Sequence, residues 1–247
     1  MANPGKNKIM RFARMYVDAY NISGDSRTFG SLGVGYGEVD LTGWDNTIRQ
    51  LLTDKQLEAA ISDYQALIND TDPGGSFTQL KNPTAGREVS ILFGGNAEPE
   101  FGDPAYLLAS AQMSSNTNFD SKAGVISATF RADTVDNNEW PIGHVIHPET
   151  SIAITTTGDP LDNGEATALG WHAIIHIIAS DAGTWVLEVQ HSTDDISYST
   201  LGTFVLDGSV IGSEHIGGTG TVNQYVAVEL TRTSGTITPV VTFARNK

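Results

Sequence analysis

The chain has 247 residues, of which 39% are hydrophobic and 17% are charged, so it can build a packed core and is not a wholly disordered protein. It contains no cysteine, which excludes disulfides, thiolate metal sites and cysteine nucleophiles. Its 14 basic residues stand against 29 acidic ones, and the net charge of −15 argues against a protein that grips nucleic acid through phosphates.

The chain begins with a basic arm over residues 1–14. The basic side chains Lys6, Lys8, Arg11 and Arg14 come before the first acidic residue, Asp18. On an acidic protein such an arm predicts docking onto an acidic neighbouring copy, with a solvated tail as the alternative. The segment lacks the apolar core and cleavage site of a signal peptide, and the sequence has no apolar run long enough to span a membrane.

A glycine-rich stretch at 30–46 follows a predicted strand over 11–23 and a turn. It lacks the G-x-x-x-x-G-K-[ST] pattern of a phosphate loop, so we interpret it as a bent strand or a long hairpin arm. Its candidate contacts with a neighbouring subunit are Gly33, Gly35, Tyr36 and Gly37.

Residues 53–70 fit two conformations. Apolar residues recur at helical spacing, and Thr53 with Gln56 resembles a capping box, so the periodicity alone favours a helix. However, Leu57, Ala59 and Ile61 also alternate as they would along a strand.

The rest of the first half reads as a short helix and three strands. A turn and one short helix are predicted at 72–82, and a strand at 87–95. Residues 106–120 and 123–133 are predicted to form an antiparallel pair.

The second half is predicted to be a separate domain. The polar, proline-containing segment 136–150 is interpreted as a linker, which leaves 1–135 and 151–247 as domains. Six strands follow the linker at the spacing typical of a sandwich or jelly roll. They lie at 151–158, 169–180, 184–192, 198–207, 223–233 and 235–245.

Histidines and acids form no complete catalytic or metal-binding motif in the sequence. His144 and His147 with Glu149 lack a ligand at zinc-site spacing, and no nucleophile elbow is present. His172 and His176 share one face of a predicted strand, which we interpret as a polar outer face or a subunit contact. We therefore predict no enzyme activity, no cofactor, no metal and no catalytic residue.

Trp185 and Tyr198 offer the sequence's candidate ligand-binding surface. Trp185, Leu187 and Val189 alternate on one face of a predicted strand, which favours burial of the tryptophan. The alternative is an aromatic platform on which Trp185 and Tyr198 stack against a sugar.

Several stretches of the chain resemble tail tube (major tail) proteins of long, non-contractile-tailed bacteriophages. They are "MYVDAYNISGDSRTF", "YGEVDLTGWDNTIRQLL", "VSILFGGNAEPEFGDPAYLLASAQ" and "GVISATFRAD", all within the first 135 residues. The second half, with "WVLEVQHSTDDISYSTLGTF" and "TVNQYVAVELTRT", is similar to small β-sandwich modules appended to phage virion proteins.

The resemblance implies a mainly β fold. An N-terminal sandwich or barrel with a short helix is followed by a C-terminal antiparallel sandwich, either jelly-roll or immunoglobulin-like. It also favours a strand at 53–70, and we adopt that conformation.

The resemblance further implies a virion protein, made in the host cytoplasm, that forms stacked hexameric rings and contacts other tail proteins. DNA passes through the tube without specific binding, and the C-terminal module projects outward, where it can meet host surface glycans. The alternatives are a capsid decoration or cement protein and a carbohydrate-binding surface protein.

Overall fold

The protein is mainly β, as predicted. The computed structural model describes residues 12–40, 51–95, 97–119, 124–132 and 139–246, without the side chains of 35–40, 51–58 and 119. Within these ranges the only α-helix is α1 (Ser76–Leu80), which confirms the short helix predicted at 72–82. No helix in the described ranges is long and apolar enough to cross a membrane.

Seventeen strands carry the architecture of the described residues. The first half contributes β1 (Ala13–Val17), β2 (Tyr20–Asn21), β3 (Ser26–Thr28), β4 (Ser31–Asp40), β5 (Leu51–Leu67), β6 (Arg87–Phe93), β7 (Pro104–Phe119) and β8 (Gly124–Arg131). The second contributes β9 (Ile142–His147), β10 (Thr156–Thr157), β11 (Leu161–Asp162), β12 (Trp171–Ser180), β13 (Trp185–Ser192), β14 (Ser199–Thr203), β15 (Gly212–Gly218), β16 (Tyr225–Arg232) and β17 (Ile237–Arg245). Paired strands run antiparallel, as expected where consecutive strands are joined by short turns.

The long strand β7 joins two layers of the N-terminal half. Its first part pairs with β6 and β9, and its second part, from Gln112 onward, pairs with β8. The layer of β1, β6 and β7 therefore faces the layer of β5 and β8. Between them lies a core that includes Met15, Ile61, Ile91 and Phe130, all buried.

Strand β5 resolves the ambiguity at 53–70 in favour of the strand, and the helical periodicity is explained by a bulge. Asp63 has a left-handed φ of 58°, and the pairing with β8 shifts register between Ile61 and Tyr64. The extra residue moves the buried positions from Ala59 and Ile61 to Tyr64 and Ala66. A three-residue step between buried side chains thus imitates helical spacing inside a strand.

The predicted linker at 136–150 contains a structural strand. β9 pairs with β7 on one side and with β17 on the other, so it lies inside a twelve-stranded sheet. Eight of its strands follow the order β15-β12-β17-β9-β7-β6-β1-β2, and β3, β4, β5 and β8 branch from this path. Val145 and Ile146 are fully buried on its two faces. Prolines and polar residues around this short strand conceal it in the sequence, so the linker prediction is wrong over 142–147.

The C-terminal half forms a second sandwich. The layer of β12 and β17 packs on a five-stranded sheet of β10, β11, β13, β14 and β16. Trp185, Leu187, Val189, Val228 and Phe243 belong to the buried core between the two layers.

A third buried cluster joins the two sandwiches. Tyr16, Leu92 and Leu107 from the N-terminal half pack against Ile174 and Val240 from the outer face of the C-terminal sandwich. The halves therefore share an apolar interface as well as a continuous sheet.

Candidate functional site

Within the described residues, strands β4 and β5 form a long two-stranded ribbon, which we call the arm and define as residues 35–40 and 51–58. Strand β5 pairs with β8 from Ala60 to Leu67, whereas its first eight residues pair with β4 alone among the described strands. The register runs from Gly35 opposite Glu58 to Asp40 opposite Leu51. At about 3.3 Å per residue the arm reaches about 25 Å beyond the sandwich.

A buried tyrosine fixes the base of the arm. The hydroxyl of Tyr106 donates to the carbonyl of Gly33 (2.6 Å) and also lies 3.2 Å from the carbonyl of Ala60, so one phenol ties both strands to the core. Burial raises the pKa of Tyr106 to about 12, which keeps this donor protonated.

The predicted assembly residues of the glycine-rich stretch fall on β4. Gly33 is exposed beside the base, and Gly35 and Tyr36 lie in the arm opposite Glu58 and Leu57. Gly37 occupies the register irregularity between Tyr36 and Glu38. The structure thus brings these four positions together on one strand, while their role in assembly stays a prediction.

Of the basic N-terminal residues predicted to take part in assembly, only Arg14 lies within the described structure. Arg14 lies in β1, where it pairs with Glu98 and donates to the carbonyl of Ala13 (3.0 Å). Its charge is therefore already engaged within the chain. Lys6, Lys8 and Arg11 lie outside the described residues.

A polar pocket of about 330 Å³ lies beside Arg14. Its acids are engaged by neighbouring groups, because Glu149 accepts hydrogen bonds from Tyr16 (2.5 Å) and Asn21 (3.1 Å), and Glu98 pairs with Arg14. The pocket is thus a region of internal ion pairs and hydrogen bonds.

His176 is a fully buried member of the interface between the two sandwiches, so the predicted outer polar face is wrong. Its Nδ1 accepts from the backbone N–H of Ala19 (3.2 Å), which places the proton on Nε2, 2.9 Å from Oγ of Ser90. The ring also stacks on Tyr16. Burial lowers the pKa of His176 to about 3, so the ring is neutral at physiological pH.

His172, the other predicted surface histidine, is also buried and belongs to a cluster with Glu139 and His215. Nδ1 of His172 lies 3.7 Å from Oε2 of Glu139, and Nε2 of His215 lies 3.1 Å from Oε1. One ligand atom from each residue lies within 4.8 Å of the other two. The side chains of Glu139 and His215 are 16% and 17% exposed, so the cluster borders solvent.

The charges within this cluster are coupled. Burial pushes the pKa of Glu139 upward, but nearby His215 and His172 outweigh it and hold the pKa below its usual value. Burial lowers the pKa of His215, but the carboxylate of Glu139 outweighs it and raises the pKa. Burial lowers the pKa of His172 despite the same carboxylate. Sequence reasoning missed the cluster, since its members are far apart in the chain and no spacing motif links them.

The other candidate metal ligands do not converge. His144 and His147 lie on β9 on either side of a register shift, and Nδ1 of His144 lies 3.1 Å from the carbonyl of Gly102. His144 is exposed, while Nδ1 of the buried His147 faces the carbonyl of Pro239 (3.3 Å). Glu149 is bound to Tyr16 and Asn21 instead.

The structure contradicts the aromatic platform. Trp185 is 2% exposed and belongs to the core of the C-terminal sandwich. Tyr198 is half-buried in the turn after β13, where its hydroxyl donates to Asp195. A sugar cannot stack on a tryptophan enclosed by the two sheets, so the favoured prediction that Trp185 is buried is confirmed.

Comparisons with known proteins give no relative that identifies the chain. No family model matches it, and neither does any curated protein. A solved structure of infectious bursal disease virus, Gx strain, is similar with a TM-score of 0.20 and 9% identity, over 95% of this chain and 72% of that chain. At that TM-score the likeness carries no argument about fold or function.

Proposed function

We propose that the chain is a self-assembling structural protein of a virion, and specifically a phage tail tube subunit that forms stacked rings around a genome conduit. The observation that carries this proposal is the arm. An isolated two-stranded ribbon is marginally stable in water, and it presents unpaired strand edges. A ribbon of this length is best accounted for by docking on another copy of the chain.

Docking of the arm of one copy onto the next copy favours assembly into rings and tubes. An arm that reaches from one copy onto a different surface of the next makes a heterologous contact. Repeated contacts of that kind close into rings or extend as helical filaments. Both outcomes match the tube that the sequence resemblance implies.

The charge supports a conduit for DNA. A net charge of −15 disfavours adhesion to phosphates, so a polyanion can slide past such a surface. The C-terminal sandwich, which packs against the N-terminal one, would then project from the outside of the tube.

The test is negative-stain electron microscopy of the purified full chain over a concentration series. We expect rings or tubes with a central channel. A persistent monomer or trimer at every concentration would contradict the tail tube and favour a decoration protein.

The matched control removes only the arm. Gly35 and Glu58 are directly paired, so replacing residues 36–57 by Asn-Gly closes the ribbon with a two-residue hairpin turn. This variant should keep the circular dichroism spectrum of a β protein and remain monomeric. If it assembles as well as the wild type, the arm is not the assembly element.

A further inference from the structure

We infer that Glu139, His172 and His215 form a binding site for a divalent transition metal ion, with Zn²⁺ the best match. The inference is independent of the tail tube proposal, and it replaces the expectation from sequence that the chain has no metal site. It rests on the convergence of three ligand atoms, on an unpartnered buried nitrogen and on the space left at Gly217.

The spacing of the ligand atoms fits zinc. A tetrahedral zinc ion with bonds of about 2.0–2.1 Å to nitrogen and oxygen holds its ligand atoms about 3.3 Å apart. Nε2 of His215 lies 3.1 Å from Oε1 of Glu139, and Nδ1 of His172 lies 3.7 Å from the other carboxylate oxygen, Oε2. One ligand atom from each residue lies within 4.8 Å of the other two, so a small movement of the side chains would close a tetrahedral site. Two imidazoles with one carboxylate favour zinc or a neighbouring transition metal over calcium or magnesium, which prefer oxygen ligands.

His172 has its coordinating nitrogen free. Its Nε2 lies 2.9 Å from the carbonyl of Trp140, which can only accept, so Nε2 carries the proton and Nδ1 carries the lone pair. Nδ1 is buried and has no hydrogen-bond partner among the described residues, although the side chain is only 1% exposed. In metal-binding histidines one ring nitrogen usually donates its N–H to a carbonyl or carboxylate, and the other, unprotonated nitrogen binds the metal.

The arrangement of His215 and Glu139 also supports a metal site. Nε2 of His215 is 3.1 Å from Oε1 of Glu139, so the two form an ion-pair contact, but its alignment falls short of a well-formed hydrogen bond. Misalignment at this distance is expected when both atoms are directed at a third position between them. A buried nitrogen without a hydrogen bond, such as Nδ1 of His172, is rare in native proteins. A bound cation would satisfy it and would take the place of the proton between His215 and Glu139.

The backbone leaves room for the carboxylate. Gly217 on β15 lies opposite His172 on β12, and a Cβ at position 217 would stand 3.1 Å from Oε1 of Glu139. Glu88 of β6 also lies near the cluster: it interacts electrostatically with Glu139 and His215, burial raises its pKa to about 7, and its Oε2 is buried without a hydrogen bond. A cation held here would fasten the segment before β9 to β12 and β15, next to the N-terminal sheet.

The experiment is a ZnCl₂ titration of the full-length, EDTA-stripped protein, with bound zinc measured after gel filtration. We expect one zinc per chain and a rise in melting temperature. H215Q and E139Q should each lower the affinity at least tenfold. G217A, which keeps all three ligands, should also weaken binding, because its methyl group crowds both Glu139 and Cβ of His172.

The matched control is H144Q, which removes an exposed histidine from the neighbouring strand β9 and should leave zinc affinity unchanged. No zinc retained by the wild type, or equal affinity in H215Q, E139Q and H144Q, would overturn the site. If a ligand variant does not fold, the visible spectrum of the Co²⁺-loaded wild type decides. Intense bands of a tetrahedral site support the assignment, and the weak bands of an octahedral ion overturn it.

Discussion

His176, at the interface between the sandwiches, is a buried polar residue whose polar ring atoms are all hydrogen-bonded. Both ring nitrogens of His176 have partners, and Oγ of Ser90 also lies 3.2 Å from Oγ1 of Thr242. Only a neutral ring fits this arrangement, since Nδ1 has to accept the N–H of Ala19. Protonation would remove that acceptor and place a charge in a buried interface that holds no acid to balance it among the partners of the ring.

The first prediction concerns acid stability. The pKa of His176 falls from 6.5 in the unfolded chain to about 3 in the folded one. As the pH drops below 6.5, the unfolded chain binds the proton first, so stability is lost down to about pH 3 and no further below it. This one group should account for about 4 kcal/mol between pH 7 and pH 3.

The variant H176Q isolates that contribution. Glutamine does not titrate, so urea unfolding of H176Q should depend less on pH than that of the wild type. It should also be less stable at pH 7 by about 1–3 kcal/mol, because one hydrogen bond is lost. S90A is the control: it removes the other partner and should lower stability while keeping the wild-type pH dependence. An unchanged pH dependence in H176Q would refute the assignment.

At the scale of elements, the bulge in β5 lies close to the base of the arm and sets the course of this strand there. Gly30, with a φ of 64°, approaches the bulge so closely that a Cβ there would lie 1.8 Å from the carbonyl of Ser62. Asp63 is the residue of the bulge that adopts the left-handed conformation. β5 packs into the N-terminal core on both sides of the bulge, through Ile61 and Tyr64, and farther upstream it leads into the arm.

The second prediction tests this element. D63V should destabilise the protein by about 1–2 kcal/mol, because a β-branched residue is strained at a positive φ. D63G should be neutral within about 1 kcal/mol, since glycine relieves the strain but makes the unfolded chain more flexible. Urea unfolding of both variants gives the comparison. Equal stability of D63V and D63G would show that the left-handed bulge does not exist in solution.

At the scale of the whole molecule, the two sandwiches are expected to unfold together. They share β9 in one sheet and the apolar cluster around Ile174 and Val240. Separating the halves would expose that cluster and leave β9 with one partner fewer. The chain should therefore behave as one cooperative unit rather than as two domains on a linker.

The third prediction follows from that coupling. Ile174 is fully buried in the shared cluster, so I174A should cost about 2–5 kcal/mol. Hydrogen exchange in β6 and tryptophan fluorescence from Trp171 and Trp185 should shift together. I154A is the control, because Ile154 is 72% exposed and its truncation should change stability by less than about 0.5 kcal/mol. Separate transitions for the two probes would contradict the shared interface.

The sequence by itself determined the mainly β class, the short helix at 72–82 and most strands of the second half. These features are local: alternation, turn residues and β-branched content are set by neighbours along the chain. The burial of Trp185 was favoured for the same reason, since its strand has one apolar face.

Only the tertiary structure decided the features that depend on contacts between distant residues. The bulge at Asp63 changes which side chains of β5 face the core, and short β9 becomes a strand because β7 and β17 flank it. The alternation of β12 places His172 and His176 on one face but does not reveal that the N-terminal sheet covers it. The cluster of Glu139, His172 and His215 exists only because folding brings β12, β15 and the segment before β9 together, and no pattern in the chain encodes that meeting.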